Sequence, residues 1–177
     1  MPNIVRHDGT ITSDDWTVVP QPAEGESLEL PKGPALIPAE LWLAGREHFE
    51  GNPEIGVWLD SHEEPEILKD HLDKLPIIAI NFPKFADGRG YSSARLLRER
   101  FGYRGELRAI GDVLLDQLQF MKRCGFDSYA LRPDKDINKA PRCLQFFTNA
   151  YQAATDNDEP LFRRRGEFPV AVAEETA

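Results

Sequence analysis

The sequence predicts an α/β fold of about four consecutive strand–helix units around a parallel sheet, preceded by a short N-terminal β segment. Apolar runs alternate with helical patterns between residues 55 and 152, and this alternation is typical of parallel strands joined by right-handed crossovers. The run IIAINF at 77–82 is apolar except for Asn81, as in strands covered on both faces. The spacing favours a half β/α-barrel, and an open sheet is the alternative.

The N-terminal part divides into a β segment and a connector, together residues 1–34. Ile4 and Val5 precede the turn signal Asp8-Gly9, and further β-forming residues follow it, so a hairpin or two strands are predicted. The stretch 20–34 is rich in Pro, Gly and Glu and is interpreted as a surface connector. A helix over 38–49 opens the α/β domain, which we place at 35–155.

The remaining elements follow from apolar spacing and from start and stop residues. Ser92 and Asp112 occupy positions suited to helix N-caps. After Asp156 no period persists, so 156–177 is predicted to be a mobile tail. Strands are predicted at 55–60, 77–82, 107–111 and 128–132, and helices at 64–75, 92–101, 112–124 and 137–152.

Charge and hydropathy exclude several classes of protein. The net charge of −9 argues against bulk nucleic-acid binding. No stretch approaches the roughly 20 apolar residues of a membrane span, and the N-terminus lacks the pattern of a signal peptide, so we expect a cytoplasmic protein without membrane contact. Residues 1–75 hold 16 acidic and 5 basic residues, whereas 84–108 hold 7 basic and 3 acidic ones.

The cysteines and histidines do not predict a metal site. Cys124 and Cys143 are too few for a four-cysteine cluster, and the four histidines have no zinc spacing. No cofactor is evident in the chain, and a redox role would need a borrowed one.

Ligands of parallel α/β proteins bind at the carboxyl ends of the strands. The carboxyl ends of the four predicted strands lie at residues 60–62, the loop 83–91, Gly111-Asp112 and residues 132–134. The loop at 84–95 combines basic side chains, two glycines and a helix start, so it is a candidate site for phosphate, sulfite or FMN. Its predicted anion ligands are Lys84, Arg89, Ser92 and Arg95. The alternative is a solvated turn whose arginines pair with neighbouring glutamates.

Three side chains of the same region are candidate catalytic groups. Asp87 and Asp112 would act as acid or base, and Tyr91 as a hydrogen-bond donor. For Asp112, helix capping is the simpler interpretation. If the region instead binds a protein, the predicted interface residues are Arg89, Arg98, Asp116 and Gln117.

Residues 85–134 resemble a known family. The matching motifs are FADGRGYS at 85–92, GDVL at 111–114, DQL at 116–118 and MKRCGFD at 121–127. The resembled family is a proteobacterial domain of unknown function, encoded beside the haemoprotein of assimilatory sulfite reductase and described as an oxidoreductase of sulfite reduction. It has no established catalytic residues to carry over.

The resemblance implies a role in sulfur assimilation and cysteine biosynthesis. Because this chain lacks the cysteines of an iron–sulfur cluster, it implies an accessory protein that acts beside the sirohaem haemoprotein. Two alternatives stay open: a small oxidoreductase that uses the 84–95 loop as an anion site, and a homo-oligomer in which the basic region is an interface. Whether the chain is an enzyme is left open.

Overall fold

The computed structural model describes residues 3–23, 28–147 and 149–164. Its eight strands form one curled, half-barrel-like sheet in the order β2-β1-β8-β7-β6-β5-β4-β3. Strands β3 to β8 run parallel, and β1 pairs antiparallel with β2 and β8. The strands are β1 Asn3–Arg6, β2 Ile11–Ser13, β3 Thr17–Val18, β4 Ala35–Pro38, β5 Ile55–Leu59, β6 Ile77–Phe82, β7 Glu106–Gly111 and β8 Ser128–Tyr129.

The helices are short. They are α1 Ala39–Ala44, α2 Arg46–Phe49, α3 Arg89–Arg95, α4 Leu118–Arg123 and α5 Ala140–Leu144. A π-helical turn, Leu96–Arg100, continues α3 directly. Short 3-10 helices cover Pro65–Leu68, Leu72–Lys74, Leu115–Gln117 and Ile137–Lys139.

The curl of the sheet follows from its connections. Strands β2 and β3 lie at opposite edges, yet only residues 14–16 join them. A flat eight-stranded sheet would be about 34 Å wide at about 4.8 Å per strand. Four residue steps reach at most about 14 Å. The two edges must therefore approach each other, and the three-residue strap bridges the gap between them.

The curled sheet has two apolar faces. The main core lies between the sheet and the helices. On the opposite, inner face, Leu36, Ile77, Ala79 and Ile110 form a second cluster, and Trp16 of the strap packs against it. Beside this cluster Arg108 is 1% exposed and forms an ion pair with Asp14 of the strap.

The predicted parallel sheet and N-terminal hairpin are confirmed, and several local predictions are wrong. Strand β4 was missed because prolines flank it. The predicted helix 64–75 is two 3-10 turns, the first of which starts at Pro65. The helix predicted from Asp112 starts later, because Leu114 is extended and its N–H donates to the Gln117 side chain. Helix 137–152 ends at Leu144. Of the predicted mobile tail, 156–177, the part beyond residue 164 lies outside the described residues.

Candidate functional site at the carboxyl ends of the parallel strands

The loop after β6 turns its charges towards each other. Arg89, the first residue of α3, donates from Nη2 to Oγ of Ser61 at 2.8 Å and to Oδ2 of Asp87 at 2.6 Å. Its Nε donates to Oδ1 of Asp87 at 3.0 Å. These contacts, first from Arg89 and then from Ser61, hold the pKa of Asp87 well below its usual range. Asp87 is therefore an ionised counter-ion near neutral pH, which makes it a poor general acid or base.

The other predicted anion ligands do not share a vacant site with Arg89. Helix α3 starts at Arg89 with Gly88 as its cap, so Ser92 lies one turn inside the helix and not at its N-cap. Arg95 pairs with Glu99 at 2.9 Å along the helix. Lys84 is exposed and forms no ion pair with any residue that the structure describes. Two of the three basic ligands are thus neutralised within the chain.

Asp112 is a link between strand ends and not a helix cap. Its Oδ2 accepts from the backbone N–H of Phe85 at 2.9 Å, and its Oδ1 accepts from Nη1 of Arg132 at 2.7 Å. Arg132 also pairs with Asp134 at 2.5 Å. Asp134 and then Asp112 raise the pKa of Arg132, which keeps its charge throughout. The carboxylate therefore fixes the loop after β6 against the segment after β8.

Tyr91 is part of a row of packed rings. Its ring centroid lies 5.2 Å from Phe82 and 4.9 Å from Phe120. Burial raises the pKa of Tyr91, so its hydroxyl stays protonated. The ring therefore anchors α3 to the core.

Close packing explains one of the two glycines in the FADGRGYS motif, Gly90. A Cβ at this position would lie 2.8 Å from Cζ of Phe82 and 3.0 Å from Cγ2 of Ile80. Such distances are shorter than ordinary carbon contacts. Helix α3 therefore approaches β6 so closely that only glycine fits.

Of the four predicted interface residues, two are internal. Arg98 donates to the carbonyl oxygens of Gly125 (2.9 Å), Tyr103 (2.8 Å) and Gly105 (2.9 Å), and it pairs with Asp127. It thereby joins the π-helical turn to the starts of β7 and β8. Gln117 is buried and closes the turn before α4. Arg89 is held by Asp87, which leaves Asp116 as the exposed member without an ion pair among the described residues.

Asp60, His62 and Asn81 form a further polar cluster that was not predicted from the sequence. Oδ1 of Asp60 accepts from Nδ2 of Asn81 at 3.0 Å, and Oδ2 lies 3.2 Å from Nδ1 of His62. The sequence placed 60–62 at a strand end, but nothing in it paired this segment with Asn81, 21 residues further on. Asp60 orients an imidazole whose side chain is 69% exposed. Among the described residues no group of three or more His, Cys, Asp or Glu side chains is placed to hold a metal ion.

An apolar groove lies beside these strand ends. Its volume is about 580 Å³, and its apolar lining comprises Leu114, Leu115, Cys143, Phe146 and Phe147. Phe146 is 70% exposed and Phe147 65%. We call this surface the Phe146 groove. In contrast to the paired charges of Asp87, Arg89, Asp112 and Arg132, its aromatic side chains are largely exposed.

Comparison with known proteins identifies a family. A family model described as "Bacterial protein of unknown function" (DUF934) matches residues 56–162, which is more than half of the chain. The match covers the four strands β5 to β8, the helices α3 to α5 and the loop after β6. No curated protein and no solved structure matches the chain. Every helix within the described residues is too short or too polar to cross a bilayer. The chain therefore belongs to the bacterial DUF934 family.

Proposed function

We propose that the chain is a cytoplasmic accessory protein of assimilatory sulfite reduction, which binds the sirohaem sulfite reductase haemoprotein and does not itself reduce sulfite. The observation that carries this proposal is the internal pairing at the strand ends. Asp87, Arg89, Asp112 and Arg132 bind one another or the backbone within the chain. A group already held in this way gains little by turning to a small substrate, so binding of a partner is favoured over catalysis.

The resemblance supplies the partner, and the charge distribution supports docking. The 16 acidic and 5 basic residues of 1–75 include the exposed glutamates of α1 and α2, such as Glu40 and Glu47. Acidic surfaces of this kind steer the encounter with a basic partner surface, and the effect weakens as salt is added.

A pull-down of the haemoprotein from bacterial lysate tests the proposal. The tagged chain should enrich the haemoprotein at low salt, and the enrichment should fall at high salt. A Glu47→Lys, Glu50→Lys variant should capture less, whereas Asp158→Lys, a charge reversal of the same sign in the C-terminal part, serves as the control. Equal recovery from tagged chain and empty resin at low salt would exclude the accessory role.

One observation favours a second candidate, an oxidoreductase that binds FMN or another phosphate-bearing ligand at the 84–95 loop. Lys84 is exposed beside this loop and has no ion-pair partner in the described part of the chain. Thermal unfolding with phosphate, sulfite, FMN and NADPH distinguishes the candidates. A stabilisation by any of them that Lys84→Ala abolishes would support the enzyme, and an unchanged melting curve with all four would rule it out.

A further inference from the structure

The Phe146 groove lies between the segment that leads into α4 and the residues that follow α5. The segment from Leu114 to Gln119 forms one wall of the groove. Nε2 of Gln119 donates to the backbone oxygen of Phe147 at 3.2 Å, which links this wall to the opposite side. The rings of Phe146 and Phe147 meet edge to face, with their centroids 5.0 Å apart. Helix α5 directs Leu144 into the core and then ends, which leaves the next two aromatic residues outside.

An exposed pair of this kind marks a contact surface. Soluble proteins rarely leave large contiguous apolar patches bare, and phenylalanine is enriched in the centres of protein interfaces. The rings contact each other edge to face, and Gln119 binds the backbone of Phe147 beside them. The mutual contact restricts both rings, which reduces the conformational entropy that each loses on binding.

Two opposite charges flank the apolar lining. Asp116 and Lys135 both line the groove. Asp116 is exposed and has no ion pair with any described residue, and Lys135 keeps a partly exposed ammonium 2.8 Å from Asp134. In a two-fold contact the same surface faces itself, so residue i of one copy meets residue j of the other and the reverse. A two-fold arrangement in which each Asp116 faces the other copy's Lys135 would pair these charges twice.

We propose that the Phe146 groove is the contact surface between two copies of this chain. The groove is apolar at its centre and carries one charge of each sign, so it is complementary to itself without any other protein. This inference is independent of the proposed role in sulfite reduction, because it concerns the purified chain alone.

Sedimentation equilibrium of the full chain tests the contact. The wild type should show a monomer–dimer equilibrium. Replacing Phe146 and Phe147 by serine should raise its dissociation constant at least tenfold, since central aromatic side chains contribute most to an interface. Ile67→Ser, at an exposed apolar position on the first 3-10 helix, should leave it unchanged. A wild type that stays monomeric at every concentration would overturn the proposal.

A charge exchange tests the two-fold geometry. Asp116→Lys alone would bring two lysines together, so dimers should weaken, and Lys135→Asp alone should weaken them likewise. The double variant Asp116→Lys, Lys135→Asp restores opposite charges across the axis and should recover most of the wild-type association. Failure of this recovery in a double variant with an unchanged melting temperature would contradict the pairing. A monomeric chain that captures the haemoprotein through Phe146 and Phe147 would likewise refute the dimer.

Discussion

Replacement of Arg108 by methionine removes a guanidinium that the curled sheet encloses almost completely. Arg108 donates from Nη1 to Asp14 at 2.7 Å and from Nη2 to Glu106 at 2.8 Å. Its Nε donates to Oγ of Ser128 at 3.2 Å. Methionine keeps much of the apolar stem, so the loss reports mainly on the charge.

The expected loss of unfolding free energy depends on the acidic partners that Arg108 leaves behind. The variant leaves Asp14 buried without its cation, while Glu106 keeps Arg6 at 2.6 Å. Removal of one partner of a buried ion pair costs about 3–5 kcal/mol of unfolding free energy. For a domain of this size that corresponds to a melting temperature lower by about 6–20 °C.

Urea unfolding at neutral pH measures the effect. Tryptophan fluorescence is a suitable signal because Trp16 and Trp58 pack against the inner cluster. Arg104→Met, which removes an exposed arginine, should change the unfolding free energy little. The reasoning fails if Arg108→Met costs less than about 1 kcal/mol. Adding Asp14→Leu should recover part of the loss, because an apolar pair often replaces a buried ion pair without penalty.

The same variant has a pH signature. Burial alone would raise the pKa of Glu106, but the Ser128 hydroxyl and the charges of Arg108 and Arg6 outweigh it and hold that pKa below its ordinary value of 4.5. The folded state then binds fewer protons than the unfolded state, so this contribution is present above the unfolded pKa and is lost as the pH falls through the folded pKa. The stability gap between wild type and Arg108→Met should therefore narrow as the pH falls below 4.5, the ordinary pKa of the carboxyl.

Three further outcomes are expected. Gly90→Ala should cost about 1–3 kcal/mol in urea unfolding because the new methyl group overlaps β6, whereas Gly88→Ala, whose Cβ would meet only Tyr91 at an ordinary 3.9 Å, should be nearly neutral. Arg98→Met should cost at least about 2 kcal/mol, since it removes the donor to three backbone carbonyl oxygens before β7 and β8. Burial raises the pKa of Cys124 to about 11, so in a Cys143→Ser background a thiol reagent at pH 8 should label the chain only after urea is added. Rapid labelling of the native variant would contradict this burial.

The parallel sheet was predictable because its central strands are buried on both faces. Such strands appear as nearly uninterrupted apolar runs, as IIAINF shows at 77–82. Strand β4 escaped prediction because Pro34 precedes it, Pro38 ends it and only three other residues form it. The half-barrel curl, which the strand–helix spacing favoured over an open sheet, is confirmed, but which strands become the edges was not predictable. The order along the sheet separates β2 from β3, and no local pattern encodes that order.

That charged side chains lie at the strand ends was predictable from the sequence, but their contact partners were not. The loop after β6 was expected to carry Arg89 and Asp87, and both lie there. That they neutralise each other depends on side-chain directions that spacing leaves open. Asp112 binds groups 27 residues before it and 20 residues after it. Contacts over such separations come from the assembled sheet and not from the local sequence.

These contacts give the FADGRGYS motif an architectural role. Within FADGRGYS, Asp87 holds Arg89, Gly90 permits the close approach of α3, and Tyr91 packs between two rings. A change at these positions should therefore lower stability and partner binding together. Changes in the Phe146 groove should affect association without lowering stability, because its exposed rings contribute little to folding. Phe146→Ser should alter association at an unchanged melting temperature, whereas Gly90→Ala should lose association only in proportion to the fraction unfolded. A Gly90→Ala chain that stays fully folded and yet fails to bind the haemoprotein would assign the motif a direct part in recognition.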